Sequence, residues 1–156
     1  MNDSIEARVK RLGYVLPNPA APAANYVAWF RTGNLLFISG QVPKGADGKD
    51  SFVGKLGAQY DVEQGQEAAR LCALNLLAQL DNAVAGDVTR VRHCVRIGGF
   101  VNATPQFDQH PSVINGASDF IVSVLGGAGK HTRVAVGVNG LPRNVAVELD
   151  AVFELD

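Results

Sequence analysis

The longest helical pattern runs from Asp61 to about Ala85. Ala69, Cys72, Leu76, Leu80 and Ala83 recur at a spacing that puts them on one helix face, and Leu71, Leu74 and Leu77 widen it. Asp61 and Gln64 fit a capping box, and Gly86 stands where a left-handed residue ends a helix. A face that broad is suited to lie on a sheet. A second helix is predicted from Pro111, with His110 or Asp108 before it and an apolar face of Val113, Ile114, Ala117, Phe120, Ile121, Val124 and Leu125; "GGAG" stops it. Ser4 caps a short helix reaching about Leu12, ended by Gly13.

Period-two alternation marks the strands. Tyr26 to Arg31 and Leu35 to Ser39 flank Gly33-Asn34, a hairpin signature. In "VRHCVRIGGFV", Val91, Val95 and Ile97 are expected on one face and Arg92, Cys94 and Arg96 on the other. In "HTRVAVGVNGLPRNVAVELD", Val134, Val136 and Val138 form one run and Val145, Val147, Leu149, Ala151 and Phe153 a return strand, read as a hairpin turning at "NGLPRN". Pro17 to Asn25 is an extended connector, and the glycine-rich stretch Pro43 to Gly57 an exposed loop. The order β-β-α-β-α-β-β predicts an α+β layer with both main helices on one sheet face. The opposite face carries Val, Gly and Ala beside isolated charges, and no chain remains to cover it, so self-association is expected.

A length of 156 residues fits one domain spanning 1–156, and 47% apolar with 19% charged residues supports a packed core. A net charge of −1 argues against a nucleic-acid partner. Cys72 and Cys94 fall in apolar runs without paired spacing and read as reduced, buried thiols. The charged N-terminus lacks the apolar stretch of a signal peptide, and no run is long enough to cross a bilayer, so a cytoplasmic protein without a membrane partner is expected. His93, His110 and His131 show no metal-ligand spacing, so no metal is expected. "GGAGK" follows a helix and lacks the Ser/Thr of a phosphate loop.

The candidate chemistry lies mainly in the last two strands. Arg133 is either a structural strand-end arginine or a carboxylate clamp, since guanidinium offers a planar fork that stays charged at neutral pH. Glu148 is either on a solvent face or a general acid/base whose proton affinity rises with partial burial. Tyr26, Ser39, Gly40 and Gln41 sit at the ends of the first hairpin. Asn115, in the helix-interior "NG", costs helix propensity and suggests packing or a polar contact. Arg92, His93 and Arg96 make a basic spot fitting a small anion or an ion pair between subunits.

These segments together resemble the YjgF/RidA family of enamine/imine deaminases, also labelled endoribonuclease L-PSP. "NYVAWFRTGNLLFISGQVP" resembles the family's first hairpin, the helix from Asp61 its "Q…A…NL…L" helix, and "TRVAVGVNGLPRNVAVELDAV" its arginine strand, "LP" and "VE" strand. The resemblance implies a chorismate-mutase-like α+β fold and a homotrimer with ligand clefts between subunits. It implies that Arg133 holds a substrate carboxylate and that Glu148 handles protons around an attacking water. Tyr26, Ser39, Gly40 and Asn115 would lie near the cleft, and Ala135 stands where the family usually has cysteine. Val27 replaces the usual serine after the tyrosine, and the N-terminal helix at about residues 4–12 is extra to the compact members. The expected activity is hydrolytic deamination of small 2-imino or 2-enamino acids, with no cofactor. The alternative is a non-catalytic trimer that binds small carboxylates. The net charge disfavours ribonuclease activity, and chorismate mutase activity would rest on fold analogy alone.

Overall fold

The structure, a computed structural model, describes residues 3–156; Met1 and Asn2 lie outside the described residues. Its elements are α1 (Ile5–Arg11), β1 (Trp29–Thr32), β2 (Leu35–Gln41), α2 (Val62–Ala83), β3 (Val91–Asn102), α3 (His110–Leu125), β4 (Thr132–Val138) and β5 (Val147–Leu155). Both halves of the Asp61–Gln64 capping box are formed at the start of α2. α3 begins without a side-chain cap, since Gln109 at its N-cap makes no such bond. β1 is shorter than its pattern suggested and leaves Tyr26 in the bend before it. Gly33 alone takes the positive φ of the first turn.

The five-stranded sheet has the order β1-β2-β5-β3-β4. β4 pairs parallel with β3, and β5 pairs antiparallel with both β2 and β3. The hairpin expected between the last two strands is therefore not formed: β3 lies between them. α3 carries the chain back over one sheet face, so β4 emerges parallel to β3 and beside it. β5 is the more apolar strand, burying Val147, Leu149, Ala151, Phe153 and Leu155, and takes the centre, where both of its edges are paired. β4, with a polar start and a glycine, is left at the edge.

The expected faces of β3 need a second correction. Its register with β5 shifts between Val91 and His93 and again between Cys94 and Arg96. Each bulge adds a residue and turns the following side chains over. Cys94 is thereby buried under the helices with Ile97, while Arg96 faces outward. Both cysteines are free and buried.

α2 and α3 pack together on one face of the sheet. Gly116 explains the odd "NG" in α3: a Cβ there would lie 2.7 Å from Gln66 Cα, so only glycine lets α3 approach the α2 backbone this closely. The other sheet face is open. On it Phe30, Phe37, Val134 and Val136 are 62%, 45%, 42% and 43% exposed. In their midst Arg96 pairs with Asp150 at 3.6 Å.

The expected exposed loop is tied to the body through Asn102, which is fully buried at the end of β3. Its amide nitrogen donates to Asn144 Oδ1 and to the Val145 carbonyl, both at 3.0 Å, and its Oδ1 accepts from Lys55 Nζ at 2.6 Å. A bridge between Val53 and Val145 adds a backbone link. These contacts fix the connection that crosses from β4 to β5 and set the start of β5, which carries Glu148.

Candidate functional site

Directly opposed residues of paired strands project from the same face. Glu148 opposes Phe100, and Phe100 opposes Val136, so Glu148 stands on the open face. Arg133 opposes Ile97, which is fully buried beneath the helices, so Arg133 stands on the helix-covered face. The candidate residues thus divide into two groups on opposite sides of one sheet.

The first group surrounds Glu148. Tyr26, Gly40, Lys44, Arg143 and Glu148 line a cavity of about 130 Å³, closed on one side by Ala20 to Ala23 of the connector. Glu148 is half-buried. Its carboxyl is pushed above the usual glutamate range, first by burial and next by the nearby Asp150 charge, with Arg143 opposing. Gly40 leaves room for the carboxylate where it stands, because a Cβ there would meet Glu148 Oε1. The Ser39 hydroxyl donates to the Val27 carbonyl at 2.7 Å and so holds the segment that presents Tyr26. Gly40 falls within the register shift between Ile38 and Gln41.

Arg143 was not singled out by the sequence. It occupies the left-handed region at φ 53° and ψ 24°, followed by Asn144 at φ 59°. Its guanidinium grips the Asp50 carboxylate with two nitrogens, which holds Asp50 below the usual aspartate range. The only sequence signal for this turn is the "LPRN" run itself, where a proline precedes two residues in an unusual conformation.

The second group lies in the groove between β4 and α3. Arg133 Nη1 donates to Ser118 Oγ at 3.0 Å and Nη2 to the Pro111 carbonyl at 3.3 Å. These bonds lay the guanidinium along α3, and the remaining N–H groups of the fork make no hydrogen bond among the described residues. Pro111, Asn115 and Ser118 fall on one stripe of the helix, so exposed Asn115 stands beside the guanidinium. Ala135 shares the Arg133 face and packs against the core. Gly137, two residues on, is covered by the His110 ring, whose Cδ2 would lie 2.9 Å from a Cβ there. The space over Gly137 is therefore filled by imidazole.

The arrangement presents a guanidinium with unused donors on one face and a carboxylate with raised proton affinity on the other. Among the described residues, no three of His, Cys, Asp or Glu are grouped to hold a metal ion, and no helix is long and apolar enough to cross a membrane.

Comparison with known proteins fits this architecture. Protein TCP17 of Trypanosoma cruzi is 47% identical over 153 residues, covering 97% of this chain and 94% of that protein. The crystal structure of Atu1372 from Agrobacterium tumefaciens is 46% identical, with a TM-score of 0.91 over 97% of this chain and 92% of its own. Escherichia coli TdcF, solved with bound serine, shares the fold at 23% identity and a TM-score of 0.62, over 92% of this chain and 97% of its own. The sequence pattern described as "YjgF/chorismate mutase-like, putative endoribonuclease" matches residues 6–154, and the chain, with its α+β chorismate-mutase-like fold, belongs to that family.

Proposed function

We propose that this protein is a hydrolytic deaminase of small 2-imino and 2-enamino acids, acting as a homotrimer with its sites between subunits. The observation that carries the reading is the division of the candidate residues. Arg133 presents unused donors in one groove, while Glu148 stands in a cavity on the opposite sheet face. Neither group alone is a complete site for an imino acid. In a site shared between subunits, the Glu148 cavity of one copy would meet the Arg133 groove of the next. The serine bound to TdcF, a small carboxylate-bearing molecule in the same fold, supports the substrate class.

In this reading Arg133 holds the substrate carboxylate and fixes C2 near a water. Glu148 accepts a proton from the water as its oxygen bonds to C2. Glu148 passes that proton to the carbinolamine nitrogen and takes the hydroxyl proton as the C–N bond breaks, so ammonia leaves and a 2-oxo acid remains. An enamine enters by protonation at C3. Because a protonated imine carbon is already electrophilic, the chemistry calls for no cofactor.

The test is a coupled assay with freshly generated 2-iminobutanoate, following release of ammonia and 2-oxobutanoate. Wild-type protein should accelerate hydrolysis over the spontaneous rate, and Arg133→Ala should abolish the gain. Binding of 2-oxobutanoate without any acceleration would instead establish the non-catalytic carboxylate-binding trimer.

A further inference from the structure

We propose that Ser118 and His131 are positioning residues for Arg133, setting the direction in which its fork meets a carboxylate. The inference rests on the reading of Arg133 as the carboxylate clamp. Ser118 Oγ lies 3.0 Å from Arg133 Nη1 and 2.9 Å from His131 Nε2, and His131 Nδ1 lies 2.6 Å from the Gly129 carbonyl oxygen. One arrangement of hydrogens matches every donor in this chain to an acceptor. The Gly129 carbonyl only accepts, so His131 Nδ1 carries a proton. Guanidinium nitrogens only donate, so Ser118 must accept from Arg133 through a lone pair. The serine hydrogen is then free to go to His131 Nε2, which accepts it in the neutral ring. The chain runs Arg133 to Ser118 to His131 to Gly129, with each donor matched to an acceptor.

The anchors are rigid at both ends. Ser118 sits within α3, whose apolar face is buried against the core, and Gly129 is buried in the short turn that ends that helix. The Pro111 carbonyl supplies the second anchor of the fork. A guanidinium held by Nη1 and Nη2 on the helix side keeps its other N–H groups directed away from α3, toward the groove. An arginine without these contacts would sample many rotamers, and each productive encounter would then lose side-chain entropy on binding. Ser118 also joins the stripe that carries Asn115, so the same helical face would orient the clamp and border the ligand.

The experiment compares wild type, Ser118→Ala, Ser118→Thr and His131→Phe. Binding of 2-oxobutanoate and of 2-oxobutanamide is measured by calorimetry well below the unfolding temperature of each variant. Arg133 side-chain nitrogens are followed by NMR in ¹⁵N-arginine-labelled protein without ligand. Ser118→Ala should weaken acid binding about tenfold and leave the amide unchanged, consistent with losing a hydrogen bond to a charged group. His131→Phe should weaken it about threefold, and Ser118→Thr, which keeps the hydroxyl, should stay within about twofold of wild type. In turnover the loss should appear in KM more than in kcat. Rotation about the Arg133 Cζ–Nη bonds should be slow in wild type and faster in Ser118→Ala. Equal rotation in both proteins overturns the inference whatever ligand the protein takes, as does equal acid affinity. A wild type that binds no 2-oxobutanoate sinks the deaminase reading, and the rotation measurement still decides the role of Ser118.

Discussion

Arg133 and Glu148 lie on opposite faces of the same sheet, with β3 between their strands. Side chains on opposite faces of one sheet cannot converge on a small molecule, so any site using both needs two copies of the chain. The proposed assembly is a trimer with a mass near three times 16.5 kDa. Phe37→Asp, which puts a charge into the exposed apolar face, should shift the protein toward monomer and remove deaminase activity together. Sedimentation at several concentrations measures the first and the coupled assay the second. An active monomer would refute the shared site.

The two candidate residues should separate kinetically. Glu148→Gln should lower kcat by about 10²- to 10⁴-fold, the range typical of a general acid/base, with little change in 2-oxobutanoate affinity. Arg133→Lys should act mainly on binding, because an ammonium cannot reproduce the bidentate fork. Wild-type rates in both variants would remove the catalytic reading.

Glu148 also predicts a dependence of stability on pH. Burial and Asp150 raise its proton affinity in the folded state. The folded protein therefore holds this proton more tightly than the unfolded chain, and ionisation costs stability as pH rises through the ordinary glutamate value of about 4.3 and beyond. Glu148→Gln should melt higher than wild type at pH 7, and the gap should close as pH falls below that value. A gap that widens on acidification would contradict the sign.

Gly40→Ala tests the contact that shapes the cavity. The new Cβ would meet the end of the flexible Glu148 side chain, so the carboxylate can swing away without disturbing the backbone. Stability should change by less than about 1 kcal/mol, since only a surface-accessible rotamer moves. Turnover should fall by at least about tenfold, because a general base must stay within hydrogen-bond reach of its proton. Full activity in a well-folded Gly40→Ala protein would remove Glu148 from the reaction.

Much of this was legible in the sequence because it is local. α2 and its capping box, the buried cysteines and the one-sided helices follow from spacing alone. The pairing of β4 and β5 was not legible, because alternation marks a strand without naming its neighbour, and α3 returns β4 to the side of β3. The faces of β3 were misread for a related reason: a bulge inserts one residue and leaves no clear mark in the apolar pattern. Of the candidate site, Glu148, Tyr26 and Gly40 share one cavity and Arg133 and Asn115 lie along α3, but the sequence did not reveal their division between faces. His131 and Ser118 had a usable signal. Period two puts His131 on the Arg133 side, and helical spacing puts Ser118 on the Asn115 stripe. Arg143 had almost none, since its role depends on a left-handed turn and on Asp50, far away in the chain.

That turn gives a prediction independent of catalysis. Arg143 is held at φ 53°, a conformation costing a non-glycine residue about 1–2 kcal/mol. Its compensating contact is the ion pair with Asp50, whose side chain is 17% exposed while that of Arg143 is 53% exposed. A pair this accessible contributes no more than about 1 kcal/mol after screening. Arg143→Ala removes the pair and keeps the strained φ, so it should destabilise the protein modestly. Arg143→Gly removes the same pair and relieves the strain, so it should be the more stable of the two by about 1 kcal/mol despite the greater freedom of glycine in the unfolded chain. Paired denaturant titrations at pH 7 measure the difference. If the alanine variant is the more stable, the turn is not strained at Arg143.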